Sequence, residues 1–221
     1  MVLLIAGLIL LAALLVWEIW ICEGAHLGQR FVVGMYNLAA GRYDSIKHFD
    51  ADWERRFLGE ALAGAIGSMP GVRLLDVGAG TGRAARALLP VANFDGLLAC
   101  LEPSHRMLAL GRRLTVHPDV AWLRGWAVPL PFATDSFDFV VSLEMLEFSS
   151  KPRRTVQELT RVLRPGGWLL ITNRVSRDAR WILGRTVPRE KFTPFLESVG
   201  LKDIEVLPWQ VDYDLAWARK P

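Results

Sequence analysis

Three glycines two residues apart, Gly78, Gly80 and Gly82, end an apolar run from Val72 to Val77 and open a helical pattern from Arg83 to Leu89. A strand that turns sharply into a helix needs residues that accept positive φ. A backbone that a ligand approaches closely needs positions without side chains. The dinucleotide fingerprint puts its third glycine three residues after the second, where this chain has Arg83. The pattern here is Asp-x-Gly-x-Gly-x-Gly, with Asp76 just before the loop. A carboxylate in that place disfavours a pyrophosphate and suits a ligand carrying positive charge.

The rest of the chain repeats the alternation that this stretch begins. Strands are expected at 72–77, 97–101, 120–123, 137–142, 168–173, 201–207 and 211–218, with helices at 83–89, 104–114, 152–163 and 189–199. Before them, Phe49, Trp53, Phe57, Leu58, Leu62 and Ile66 share a helical face, while 24–41 shows no assignable pattern. Such alternation predicts an α/β fold: a Rossmann-like, seven-stranded, mostly parallel sheet with helices on both faces. The last two strands are separated only by Pro208 to Gln210 and read as a terminal antiparallel hairpin.

The hydrophobic fraction, 52 %, is high, and the excess sits at the N-terminus. Met1 to Cys22 is apolar apart from Glu18, enough for a helix about 31 Å long. There is no basic leader and no small-x-small cleavage site, and large Ile21 precedes Cys22, so a cleaved signal is not supported. The segment reads as a hydrophobic helix anchoring the chain to a membrane. Arg30, Arg42 and Lys47 follow it and no Lys or Arg precedes it, which places the domain on the cytoplasmic side. The expected division is an anchor helix at 1–23, a linker and cover helices at 24–67, and the main domain at 68–221. Two cysteines and four scattered histidines make neither a disulfide framework nor a metal-ligand spacing, so no metal is expected.

Leu74-Leu75-Asp76-Val77-Gly78-Ala79-Gly80-Thr81-Gly82 resembles motif I of the class I S-adenosylmethionine-dependent methyltransferases. Four further stretches match that family in order: Leu101-Glu102-Pro103-Ser104, Gly125 to Phe132 with Asp135 to Asp138, Ser142 to Phe148, and Leu163-Arg164-Pro165-Gly166-Gly167. The resemblance covers about residues 40–221 and is nearest the ubiquinone/menaquinone methyltransferase-like branch. Membrane-anchored methyltransferase-like proteins share the apolar N-terminus. It implies S-adenosylmethionine as cofactor, held by Asp76, Gly78, Ala79, Gly80, Gly82, Glu102, Pro103, Ser104, Met107, Trp126, Ala127, Ser142 and Glu144. Glu102, twenty residues after Gly82, suits the two ribose hydroxyls, as a carboxylate can accept both.

The chain departs from the family at two places. Trp126 stands where the family commonly has an Asp for the adenine, and Phe148 where many members have a His that serves as base or substrate contact. Glu144 and Glu147 are then the candidate catalytic groups, and Tyr43, His48 and Phe148 the candidate acceptor contacts. The resemblance implies a membrane-anchored methyltransferase for a lipophilic small molecule of quinone, lipid or thiol type. The alternative is a catalytically silent, cofactor-binding membrane scaffold or regulator. From Lys151 to Lys191, eleven basic residues face three acids, with Trp181-Ile182-Leu183 among them. That suits an anionic membrane surface better than nucleic acid, which is not expected as a partner.

Overall fold

The computed structural model describes residues 1–47 and 49–221. Seven strands form one sheet: β1 (Val72–Val77), β2 (Gly96–Glu102), β3 (Val120–Arg124), β4 (Phe137–Ser142), β5 (Leu163–Arg174), β6 (Lys202–Trp209) and β7 (Tyr213–Arg219). Their order is β3-β2-β1-β4-β5-β7-β6. The first five are parallel, whereas β7 runs antiparallel to both β5 and β6. The Rossmann-like reading, with its terminal hairpin, therefore holds. β1 is central and almost wholly buried, with Leu74 and Leu75 facing opposite layers as the two-residue period of a strand requires. The strand order reverses between β1 and β4, and ligands of such sheets bind at that switch, beyond the carboxyl ends of the strands.

Seven main helical segments among the described residues surround or precede the sheet, besides several short helical turns. They are α1 (Val2–Ile21), α2 (Gln29–Ala39), α3 (51–66), α4 (Arg83–Leu88), α5 (His105–Leu114), α6 (Pro152–Val162) and α7 (Arg189–Glu197). Leu58, Leu62 and Ile66 of α3 join Leu88 of α4 against one face, and Val156 and Leu159 of α6 join Phe192 of α7 against the other. Two details differ from the sequence expectation. Phe57 is half exposed rather than buried, because a widened π turn at Arg55–Gly59 passes the inward face from Trp53 to Leu58. The same turn seats Gly59 against α4, where a Cβ would stand 2.0 Å from the Ala87 carbonyl. The second difference is β5, which begins at Leu163. Arg164-Pro165-Gly166-Gly167 is a bulge inside the strand, between the pairs Phe137–Leu163 and Phe139–Trp168, rather than a turn ahead of it.

α1 is of two kinds along its length. Val2–Val16 buries nothing, whereas Glu18 and Cys22 at its far end are buried against the domain. Glu18 accepts from the backbone N–H of His26 and lies 2.8 Å from its Nδ1, and His26 Nε2 lies 3.0 Å from the Leu183 carbonyl. Arg174 donates to Glu23 at 2.7 Å. Cys22 shares an apolar cluster with Val32, Phe148 and Ile182. These contacts correct two expectations. The Trp181-Ile182-Leu183 triplet is not exposed throughout, since Ile182 is core, and Arg174 is an ion-pair partner rather than a surface charge. Glu18, Cys22 and His26 come together as possible metal ligands, yet both imidazole nitrogens already have partners.

Candidate functional site

The carboxyl ends of β1, β2 and β4 open into a two-lobed cleft under α2. The larger lobe encloses about 740 Å³ counting its open mouth, and the smaller about 330 Å³. Gly78 makes the turn at φ 76°, and a Cβ there would stand 2.9 Å from Met145 Cγ, so a side chain would clash with the loop after β4. Glu102, the last residue of β2, accepts from the Gly80 N–H at 2.9 Å and from the Ser104 N–H at 2.7 Å. One carboxylate thus ties the glycine loop to the start of α5. Ser104 caps α5 by accepting from the Met107 N–H, and its hydroxyl donates to Asn37 of α2.

Gly78, Gly80, Glu102, Pro103, Met107, Trp126, Ala127 and Glu144 all line the large lobe, together with Tyr43 and Phe148. Asp76 and Ala79 line the smaller one. Three expected residues line neither lobe: Gly82 turns the chain into α4, Ser104 is spent on capping, and the buried Ser142 hydroxyl has no partner. Glu147 is also placed elsewhere. It is buried beneath the site and accepts from the Tyr213 hydroxyl at 2.6 Å, so it does not reach the cleft. His48 lies outside the described residues.

The carboxylates around the cleft differ in their surroundings. Asp76 and Glu102 are both buried and have no ion-pair partner among the described residues. Burial pushes Asp76 up to about 7, helped by the Glu102 charge and opposed by Arg83. Burial likewise pushes Glu102 up to about 7, against the two backbone N–H bonds it accepts. Glu144 is the opposite case. Burial works against its charge, but Lys47 at 2.9 Å and Arg83 at 2.5 Å outweigh burial and hold the carboxyl below its usual range.

Arg83 continues this network to Glu54, with bonds of 2.8 and 2.5 Å, and its guanidinium lies 4.4 Å from the centre of the Phe49 ring. Asp44, in the short turn Tyr43–Ile46, accepts from the Thr81 hydroxyl and from Arg86. The segment before α3 is thereby latched to the glycine loop. Sequence reading missed Lys47, Glu54 and Arg83 as site residues. The one available signal was Arg83 itself, a charge at the start of a helix that packs into the core.

Glu144 also has an uncommon backbone, at φ 49°, with its N–H bonded to Thr172 Oγ1. With two cations and a hydroxyl holding it, it is a positioning group and a poor proton acceptor. One part of the large lobe is walled by Tyr36, Tyr43 and Phe148, with Tyr36 edge-on to both of the others at 5.7 Å. No group with a histidine's chemistry stands there among the described residues. The arrangement can hold a cationic, partly apolar ligand on its carboxylates and bring an apolar second ligand against it.

Residues 75–171 match the family described as a methyltransferase domain. A demethylmenaquinone methyltransferase of Renibacterium salmoninarum is 34 % identical over 140 residues, which are 63 % of this chain and 57 % of that protein. A ubiquinone/menaquinone biosynthesis C-methyltransferase of Roseobacter denitrificans is 31 % identical over 153 residues, 67 % of this chain and 60 % of that one. The chain thus spans under two thirds of the length of these relatives. Among solved structures, the [4+2]-cyclase SpnF superposes with a TM-score of 0.71 at 22 % identity, covering 88 % of this chain and 96 % of that one. A methyltransferase-fold chain bound to the Trm112 activator of Haloferax volcanii gives 0.67 at 20 % identity, covering 84 % and 97 %. These likenesses show the fold alone, and the cyclase illustrates that one fold hosts different reactions. Motif, fold and sequence relatives agree: residues 75–171 carry a methyltransferase domain, and the chain is similar to the ubiquinone/menaquinone methyltransferase-like branch of the class I S-adenosylmethionine-dependent enzymes.

Proposed function

We propose that the protein is a membrane-anchored methyltransferase acting on a lipophilic small molecule, of which a quinone-type ring is the best supported by its relatives. The observation that carries this reading is the pair of buried carboxylates without counter-ions, Asp76 and Glu102, beside a glycine loop at the switch point of the sheet. The residues present fit S-adenosylmethionine. Glu102 has lone pairs left for the ribose hydroxyls after its two backbone bonds. Asp76 faces the lobe where the charged amino-acid end would lie, and Trp126 and Ala127 flank the place for the adenine. When bound, the cofactor supplies a methyl group on a sulfonium, which leaves by in-line displacement.

The chain's own contribution is positioning and exclusion of water. Tyr36, Tyr43 and Phe148 give the acceptor an apolar wall, and Lys47 and Arg83 keep Glu144 ionised and fixed at the junction of the two lobes. Glu144 is thereby removed as a general base, and Glu147 is out of reach. The acceptor therefore arrives as a ready nucleophile, such as an ionised ring or thiolate. α1 supports the anchor: it is a single helix of 20 residues, apolar and exposed over Val2–Val16. The basic residues after it favour the cytoplasmic side. The expected division at 23 moves to about 16 in this reading, because Trp17 to Glu23 is built into the domain.

The test is incubation of the full chain and a bacterial lipid extract with methyl-labelled cofactor, followed by mass spectrometry of the lipids. Label in a quinone-type species is the expected result. Tight cofactor binding with no labelled lipid, quinone or thiol would sink the catalytic reading.

A further inference from the structure

α2 carries a second apolar stripe, on the side away from the cleft. Leu27 in the turn before it, Phe31 and Leu38 are 49 %, 40 % and 82 % exposed. Their spacings of four and seven residues put them on one helical face. Val32, Val33 and Tyr36 line the cleft from the other side. A surface helix ordinarily turns charge outwards, but here the outer face is apolar, with Arg30 and Arg42 at its two ends. The stripe is continuous with the hydrophobic helix, because Phe31 and Met35 pack over Gly24, just past the end of α1. Beyond α2 it extends to Ile46, also exposed.

We propose that this outer face of α2 docks on an anionic lipid surface, so that one helix lies in the bilayer interface and roofs the cleft. The proposal rests on α1 being a membrane helix and goes beyond it by assigning a second contact that orients the domain. Lipid is favoured as the occupant for two reasons. The stripe begins where an uncovered apolar helix ends, and its flanking arginines match phosphate headgroups. A domain held by α1 alone would be free to tilt, whereas one held by α1 and α2 keeps its cleft mouth at the lipid. The acceptor then passes along α2 into the aromatic wall without crossing bulk water.

Cys22 and Cys100 are buried, so a thiol introduced on the surface can carry an environment-sensitive fluorophore. The full chain is labelled through Leu38→Cys, or through Met69→Cys as a control. Met69 is exposed and precedes β1, at the end of the sheet opposite the cleft. Each protein is floated with vesicles of phosphatidylcholine, alone or with phosphatidylserine. The expected result is a blue shift at position 38 and quenching by lipids bearing a doxyl group near the headgroup, stronger with phosphatidylserine and absent at position 69. A protein that floats while position 38 stays in water overturns this proposal and leaves the anchor standing. One that does not float overturns both. Shielding at 38 that grows with protein density and ignores doxyl lipid makes a second copy of the chain the occupant, which also overturns it.

Discussion

Two pairs of buried carboxylates, one on the floor of the cleft and one reaching from its edge through Arg83 to Glu54 beside it, are treated oppositely. On the floor, Glu102 accepts two backbone N–H bonds, neither it nor Asp76 has a cation partner among the described residues, and burial raises both to about 7. On the rim, Glu54 and Glu144 share Arg83, with Lys47 on the outer side of Glu144. Burial alone does not mark a binding residue, since both pairs are buried. What separates them is compensation. The rim is complete without a ligand and holds the cover segment to the glycine loop. The floor carries a burial cost with no counter-charge, and in the proposed reading a positively charged cofactor relieves it.

The largest expected effect comes from breaking the rim. Arg83→Met leaves Glu54 and Glu144 buried with one cation fewer and should destabilise the protein by about 3–5 kcal/mol, measured by denaturant unfolding. An unfolding midpoint equal to wild type would mean that the rim is not the fastening described. On the floor, Glu102→Ala removes the proposed ribose acceptor and should weaken S-adenosylmethionine binding by about 2–4 kcal/mol in calorimetry. Because Glu102 also ties the loop to α5, Glu102→Gln separates lost charge from lost shape. Wild-type affinity in both variants would remove Glu102 from the site.

The two carboxylates also predict a pH dependence. Their folded pKa of about 7 lies above the ordinary carboxylate value near 4, so the ligand-free protein is favoured at low pH and loses that contribution as pH rises through about 7. Binding of a cationic cofactor runs the other way, since it needs the ionised acids. Affinity should rise with pH, by up to about tenfold per unit for each carboxylate, and level off above about 7. Asp76→Asn should flatten part of that rise, and a profile unchanged by the substitution would show that Asp76 does not titrate with binding. The smallest effect is expected at the edge of the rim. Lys47 is partly exposed, and Lys47→Met should cost about 1 kcal/mol of stability while moving cofactor affinity less than Glu102→Ala does. A larger loss of affinity than Glu102→Ala causes would make Lys47 a ligand contact rather than a fastener.

The strands were legible because the central ones are apolar runs closed by turn residues: β1 and β4 are found at the expected residues, and the others within two, apart from the bulged start of β5. Helix α2 was not legible, and its two apolar faces explain why. With Val32 and Tyr36 turned to the cleft and Phe31 and Leu38 turned out, no single periodic face stands out against a polar background. Phe57 misled for a related reason, since a π turn shifts the inward face by one residue and an even 3.6-residue period cannot show it. At the site, the glycine loop was readable from its spacing and Glu102 from its distance to that loop, and both line the cleft. Glu147 was not, because being three residues from Glu144 says nothing of which one the chain turns inward under Tyr213.

By itself the sequence determined the α/β alternation, the glycine turn with its preceding acid, and an apolar N-terminal helix, all of them local patterns of period or turn chemistry. Only the tertiary structure decided which carboxylates are neutralised. Lys47, Glu54, Arg83 and Glu144 come from four separated stretches of chain, and their charges act through space at distances that no spacing along the sequence records. It likewise decided that the end of α1 belongs to the domain, since Cys22 meets Phe148 and Ile182 only after the sheet has brought those residues together.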